Sequence, residues 1–173
     1  EEICKNITVT AGYMIAWVGL IDEKNPEGVI PITQVTQAGK IDEYVFRAWQ
    51  EVNPKDNLFI MAAQTGQTII NNDLQSDLAL PIIRDAARQY GYNSVIALPL
   101  NHEGNILGVL GIFSAEADVF HKKEVDILKE LSDDLAFGIS SLRARIRKKQ
   151  AEQDLRASEE RFSAVFRYSP VAI

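Results

Sequence analysis

Cysteine occurs once in the 173 residues, at Cys4, so no internal disulfide forms and a cysteine zinc site is excluded. Histidine occurs only at His102 and His121, which leaves little material for a metal centre or an imidazole base. Glycine (10) and proline (6) are too scarce, beside 46% hydrophobic residues, for a collagen-like, mucin-like or disordered chain. Long apolar runs are missing as well. The longest, Met14 to Ile21 and Ile106 to Phe113, have eight residues each, whereas a bilayer-spanning helix needs about 20. No signal-peptide pattern opens the chain, which starts at Glu1 without Met, so it is read as a piece of a longer, cytoplasmic protein. An excess of positive charge is also lacking. Eighteen Lys and Arg stand against 24 Asp and Glu, for a net charge of −6, which argues against general nucleic-acid binding. What remains is a folded domain with a core of its own, plus room for a fragment of a second.

The segment Glu1 to Tyr13 reads as the end of an incoming helix. Met14 to Ile21 (MIAWVGLI) is apolar on both alternations, the pattern of a strand covered on both faces. Val29 to Ala38 is β-branched and follows a turn-rich stretch, so a hairpin is expected, with Pro31 favouring an edge position. Ile41, Tyr44, Val45, Ala48, Trp49 and Val52 then recur at helical spacing. Asp56 is placed as the N-cap of a short helix closed by Gly66. Thr68 to Asn71 is a brief strand, and Leu80 to Tyr90 a helix with Pro81 in its first turn. Val95 to Leu100 and Ile106 to Ser114 are strands joined by a polar loop, Asn101 to Asn105. Five strands with helices inserted between an early and a late hairpin define an α+β fold on an antiparallel sheet.

From His121 to Pro170 one long helix is expected, interrupted by no Gly or Pro except Gly138. Leu135, Ile139, Leu142 and Ile146 step by four, three and four, the seam of a two-helix coiled coil. Ala151, Leu155, Ser158, Phe162 and Val165 resume those steps after a phase shift that looks like a stutter. The basic run between them, Arg143 to Lys149, reads as the solvated flank of that coil.

Catalytic patterns are sparse. Neither histidine stands in a Ser/His/Asp or HExxH spacing, and no phosphate-cradling glycine loop is found. His121 also lacks the acidic neighbour and downstream proline familiar around phospho-accepting histidines of kinase dimerisation helices. The fragment is therefore read as non-enzymatic.

Several strings, in this order and spacing, resemble a GAF domain: Ala63 to Leu74 (AQTGQTIINNDL), Tyr90 to Leu100 (YGYNSVIALPL), Gly108 to Ser114 (GVLGIFS), and Phe120 followed by Glu124, Val125 and Leu128. The likeness is assigned to residues 1–140. Residues 141–160 are read as a signalling helix or coiled-coil linker. The tail from Ala157 (ASEERFSAVFRYSPVAI) is similar to the opening of a PAS domain, assigned to residues 161–173 and cut short. The resemblance implies a sheet of about six antiparallel strands with the first and last helices on one face. Middle helices and a small-molecule pocket are implied on the other. It further implies a module of a signal-transduction protein, with a sensor histidine kinase or a cyclic-di-nucleotide enzyme as the parent.

Candidates for such a pocket are Trp17, Tyr44, Trp49 and Phe59, with Asp73 and Arg84 supplying charge and Tyr90 and Ser94 hydroxyls. Arg84 suits a bidentate grip on a carboxylate or phosphate. The alternative stays open that the aromatic residues only fill core and that Asp73 pairs with Arg84. The identity of the ligand is not specified. The resemblance speaks against cyclic nucleotides, because Asn72–Asp73 and Phe120 to Val125 break two of the signature pairs of the cyclic-nucleotide-binding relatives. It also speaks against a covalent bilin, since Cys4 precedes the first strand, and neither histidine is placed to ligate a haem. The expected partners are a second copy, joined in parallel through Leu135, Ile139, Leu142 and Ile146, and downstream PAS and output domains. A ligand-free dimerisation spacer is the alternative.

Overall fold

The structure, a computed structural model, describes residues 1–22, 25, 28–36, 52, 53, 55–75 and 81–168. The expected helix from Ile41 to Val52, with Tyr44 and Trp49, falls almost wholly outside the described residues. Five strands form one antiparallel sheet: β1 (Ile15–Ile21), β2 (Val29–Thr36), β3 (Ile69–Asn71), β4 (Ser94–His102) and β5 (Asn105–Ser114). Their order is β2-β1-β5-β4-β3. Thus five strands are present among the described residues, where the resemblance implied about six.

Among the described residues, four helical segments accompany the sheet. The first, α1 (Glu2–Lys5), continues as a wider π-helical turn, Asn6–Thr10, so the opening is one short helix ending before Gly12. Next come α2 (Leu58–Thr65) and α3 (Pro81–Tyr90), and last α4 (Lys122–Tyr168). At about 1.5 Å per residue, α4 is on the order of 70 Å long. It runs without a break through Gly138, where a side chain would meet nothing within 4 Å. Contacts group the chain into two units, residues 1–136 and 137–173.

Two local expectations are corrected by hydrogen bonding. The N-cap of α2 is Asn57, not Asp56: the Asn57 Oδ1 accepts from the backbone N–H of Phe59 at 3.0 Å and of Ile60 at 3.2 Å. The late hairpin also has no five-residue loop. β4 and β5 pair as far as His102 and Asn105, leaving a two-residue turn. Glu103 (φ 52°) and Gly104 (φ 81°) both adopt the left-handed conformation, whose twist matches that of the flanking strands. Pro31 lies on β2 as foreseen, at the sheet edge, where its missing N–H breaks no interior ladder.

Period-two alternation divides the sheet into two buried faces. On the front, Ile15, Trp17, Val95, Ala97, Val109 and Phe113 form one core with Leu58, Phe59 and Ala62 of α2 and Ala86 and Ala87 of α3. The alternate residues, Ala16, Val18, Ile96, Leu98, Leu110 and Ile112, are buried on the back. There α1 packs on β1 and β2; α4 meets the sheet through Ser132, whose hydroxyl donates to the Pro99 carbonyl, and buries Val125, Leu128 and Ala136 on the same stripe. Each large side chain sequestered this way contributes about 1.5–3 kcal/mol. The α+β arrangement with helices on both faces is therefore the one expected.

Candidate functional site

The front core contains an aromatic row running from β1 to α3. Trp17 meets Phe59 edge-on with centroids 4.7 Å apart, Phe59 lies 5.8 Å from Phe113, and Phe113 lies 4.9 Å from Tyr92. Tyr92 in turn stacks on Tyr90 at 6.5 Å. A gap in the sheet seats this row. A Cβ on Gly111 would lie 2.1 Å from the Trp17 Nε1 and 2.7 Å from the Phe59 Cε1, so only glycine leaves room for the indole. Trp17 and Phe59, expected as pocket walls or core, are thus buried against neighbours, while Tyr90 is half-buried at the end of the row. Tyr92 and Phe113, which complete it, were not singled out from the sequence: Phe113 lies in an apolar run that reads as core, and Tyr92 stands between Gly91 and Asn93 outside any periodic pattern.

Arg84 lies on α3, one turn before the buried Ala87. It is half-buried, yet its Nε is shut away from solvent and makes no hydrogen bond with any described residue. A guanidinium keeps its charge in any protein, and leaving one of its donors buried and unpaired costs about 1–3 kcal/mol. Asp73 is exposed instead, its Oδ1 accepting from the backbone N–H of Gln75 at 3.1 Å in a local turn. Ser94 is buried, and its hydroxyl donates to the Glu116 carbonyl at 2.7 Å. Tyr44 and Trp49 lie outside the described residues.

The Ser94 bond belongs to a set of polar contacts that fix the connection from β5 to α4. Asn93 donates through Nδ2 to the Ala115 carbonyl at 2.7 Å and accepts at Oδ1 from Gln75 Nε2 at 2.9 Å. The Arg88 Nε of α3 donates to Gln75 Oε1 at 3.1 Å. Asn72 holds Phe120 on both sides, accepting from its N–H at 3.1 Å and donating to its carbonyl at 3.3 Å. Tyr13 stacks on Phe120 with centroids 5.8 Å apart, and its hydroxyl donates to Glu124 in the first turn of α4. Burial first, then the bond and charge of Glu124, push the Tyr13 phenol well above its ordinary value near 10. A continuous path of contacts therefore leads from α3 to the start of α4. Sequence reasoning did not find it, since isolated Asn and Gln in loops carry no periodicity.

A separate polar cleft of about 430 Å³ opens between the α2–β3 connection, β4 and α4. Of the seam residues on α4, Leu135 and Ile139 are half-buried, whereas Leu142 (58%) and Ile146 (59%) are exposed. Cys4 is buried within α1, and burial pushes its thiol up, away from the reactive thiolate. No helix among the described residues is long and apolar enough to cross a membrane.

With the geometry in place, comparison with known proteins gives the class. The family model described as a GAF domain matches residues 1–140. The chain belongs to the GAF family, whose members are typical of signalling and sensor proteins and are usually non-catalytic modules. No curated protein sequence matches it. Among solved structures it is similar to a domain from Sinorhizobium meliloti described as a two-component sensor histidine kinase protein. The identity is 16% over 86% of this chain and 93% of that one, with a TM-score of 0.67. It is similar also to a GAF domain/HD domain protein from Geobacter sulfurreducens, at 16% identity, 82% and 90% coverage and a TM-score of 0.61. A third is a type II free methionine-R-sulfoxide reductase from Thermoplasma acidophilum, at 19% identity, 78% and 85% coverage and a TM-score of 0.57. At these identities the likeness is one of fold.

Proposed function

We propose that this chain is a sensory module that binds a small anion on the α3 side of its sheet and works as a parallel homodimer through α4. Binding is passed along that helix to a following PAS domain and an output domain of a histidine kinase or cyclic-di-nucleotide enzyme. The observation that carries the reading is the Nε of Arg84 on α3, shut away from solvent and without a hydrogen-bond partner among the described residues, on a guanidinium suited to grip an anion. Signalling by population shift needs a ligand that prefers one of two arrangements, and the Gln75, Asn93 and Asn72 contacts supply a route from α3 to α4. Support for pairing comes from Leu142 and Ile146, apolar side chains at coiled-coil spacing that one chain leaves exposed.

The test is a thermal-shift screen of the purified chain with small carboxylates and phosphates. A binder present at about 100 times its Kd stabilises by about 2.7 kcal/mol, and Arg84→Gln is expected to remove that gain. The second reading, a ligand-free spacer, is favoured by the close packing of Trp17 against Gly111 and Phe59, which fills the front face near β1. It predicts no shift from any member of the screen.

A further inference from the structure

The cleft beside α4 carries chemistry that the Arg84 reading leaves unused. β3 covers only Val95 to Ala97 of β4, while β4 runs on to His102. Past Ala97 that edge is met by α4 instead: Pro99 has no N–H to satisfy, and its carbonyl accepts from the buried Ser132 hydroxyl at 3.2 Å. Outside this closure lies the cleft of about 430 Å³, with Gln67 and Thr68 on one wall, Asn101 on the second, and Lys129 and Asp133 on the third. Lys129 and Asp133 are one helical turn apart, yet no ion pair joins them among the described residues. The same order and spacing closes ion pairs at Lys148–Glu152 and Arg156–Glu160 on α4, whereas at Lys129 and Asp133 both charges are left available to a third party.

We propose that this cleft binds a free α-amino acid with a polar side chain. Its carboxylate sits on the Lys129 ammonium, its ammonium on the Asp133 carboxylate, and its side chain against the amides of Gln67 and Asn101. Side chains one turn apart have Cβ atoms about 5–6 Å from each other, so only a ligand carrying both charges on neighbouring atoms meets the two together. A peptide terminus offers one charge and leaves the other unmatched. The volume suits a molecule of this size, within the range of small-ligand sites of about 300–1,000 Å³. The site needs nothing from Arg84, and it adds a second input to the same helix.

Isothermal titration of the intact chain tests it with L-glutamine, N-acetyl-L-glutamine and L-glutamine amide. Free glutamine is expected to bind saturably, and blocking either end is expected to weaken binding about tenfold or more. Lys129→Gln should make glutamine and its amide equivalent, and Asp133→Asn should do the same for glutamine and its N-acetyl form. Both positions are exposed, so unchanged circular dichroism separates lost binding from lost folding. Absence of saturable binding at millimolar glutamine overturns the proposal. So does binding that is indifferent to both substitutions, or binding removed by Arg84→Gln, which would place the amino acid at α3.

Discussion

The side chain of Asn72 holds the backbone of Phe120 from both directions, its Oδ1 3.1 Å from the Phe120 nitrogen and its Nδ2 3.3 Å from the carbonyl. Residues 48 positions apart are thereby locked two residues before α4 begins. A residue bonded in this way through both of its flanking peptide groups is held in place and not merely solvated, so the start of α4 follows the end of β3.

Replacing that side chain by Ala leaves a part-buried N–H and carbonyl without partners. Asn72→Ala should therefore cost about 1–3 kcal/mol in urea denaturation. It should also speed amide hydrogen exchange in residues 120–125 more than in β4. Asn72→Asp keeps the acceptor and loses the donor, and is expected to fall between the two.

Gly111→Ala places a methyl group where the Trp17 indole and Phe59 ring already lie. Overpacking of this kind typically costs about 1–3 kcal/mol. A lowered melting temperature and a red-shifted tryptophan emission, as the indole is displaced from its slot, are the readouts.

Tyr13 gives a pH dependence of defined sign. Its folded-state pKa is raised by burial and by Glu124, so the folded form holds its proton at pH values where the unfolded form has released it. The contribution is complete below about pH 10, the ordinary phenol value, and is lost as pH rises above it. Tyr13→Phe should be less stable than the parent at pH 7–9, and the difference between the two should shrink above pH 10, as followed by urea denaturation across that range.

Leu142→Asp combined with Ile146→Asp places charge at two exposed seam positions of α4 while sparing its buried stripe. Sedimentation velocity is expected to show monomers for the double variant and dimers for the parent, with unchanged helicity. A dimer that persists moves the interface off this seam.

Much of the architecture was legible because apolar patterning is strong where strands are covered on both faces. Val95 to Leu100 and Ile106 to Ser114 were found for that reason, and the length of α4 followed from an almost uninterrupted run without Gly or Pro. Boundaries slipped where two neighbouring residues have equal local chemistry. Asp56 and Asn57 both suit an N-cap, and only the geometry of the Phe59 and Ile60 amides selects Asn57. Polar Asn101, His102 and Asn105 read as loop although they pair as strand, since the exposed end of a hairpin has no burial to enforce alternation. The site was legible in part. Arg84 and Tyr90 stood out by residue type, but the burial of the Arg84 Nε and the Asn72 link to Phe120 depend on tertiary contacts that leave no periodic trace.

The most direct measurement is native mass spectrometry of the freshly purified chain beside its Arg84→Gln variant. A dimer that carries a small anion in the parent and lacks that anion in the variant is expected. A parent with no anionic passenger, or a variant that retains the same anion, contradicts this.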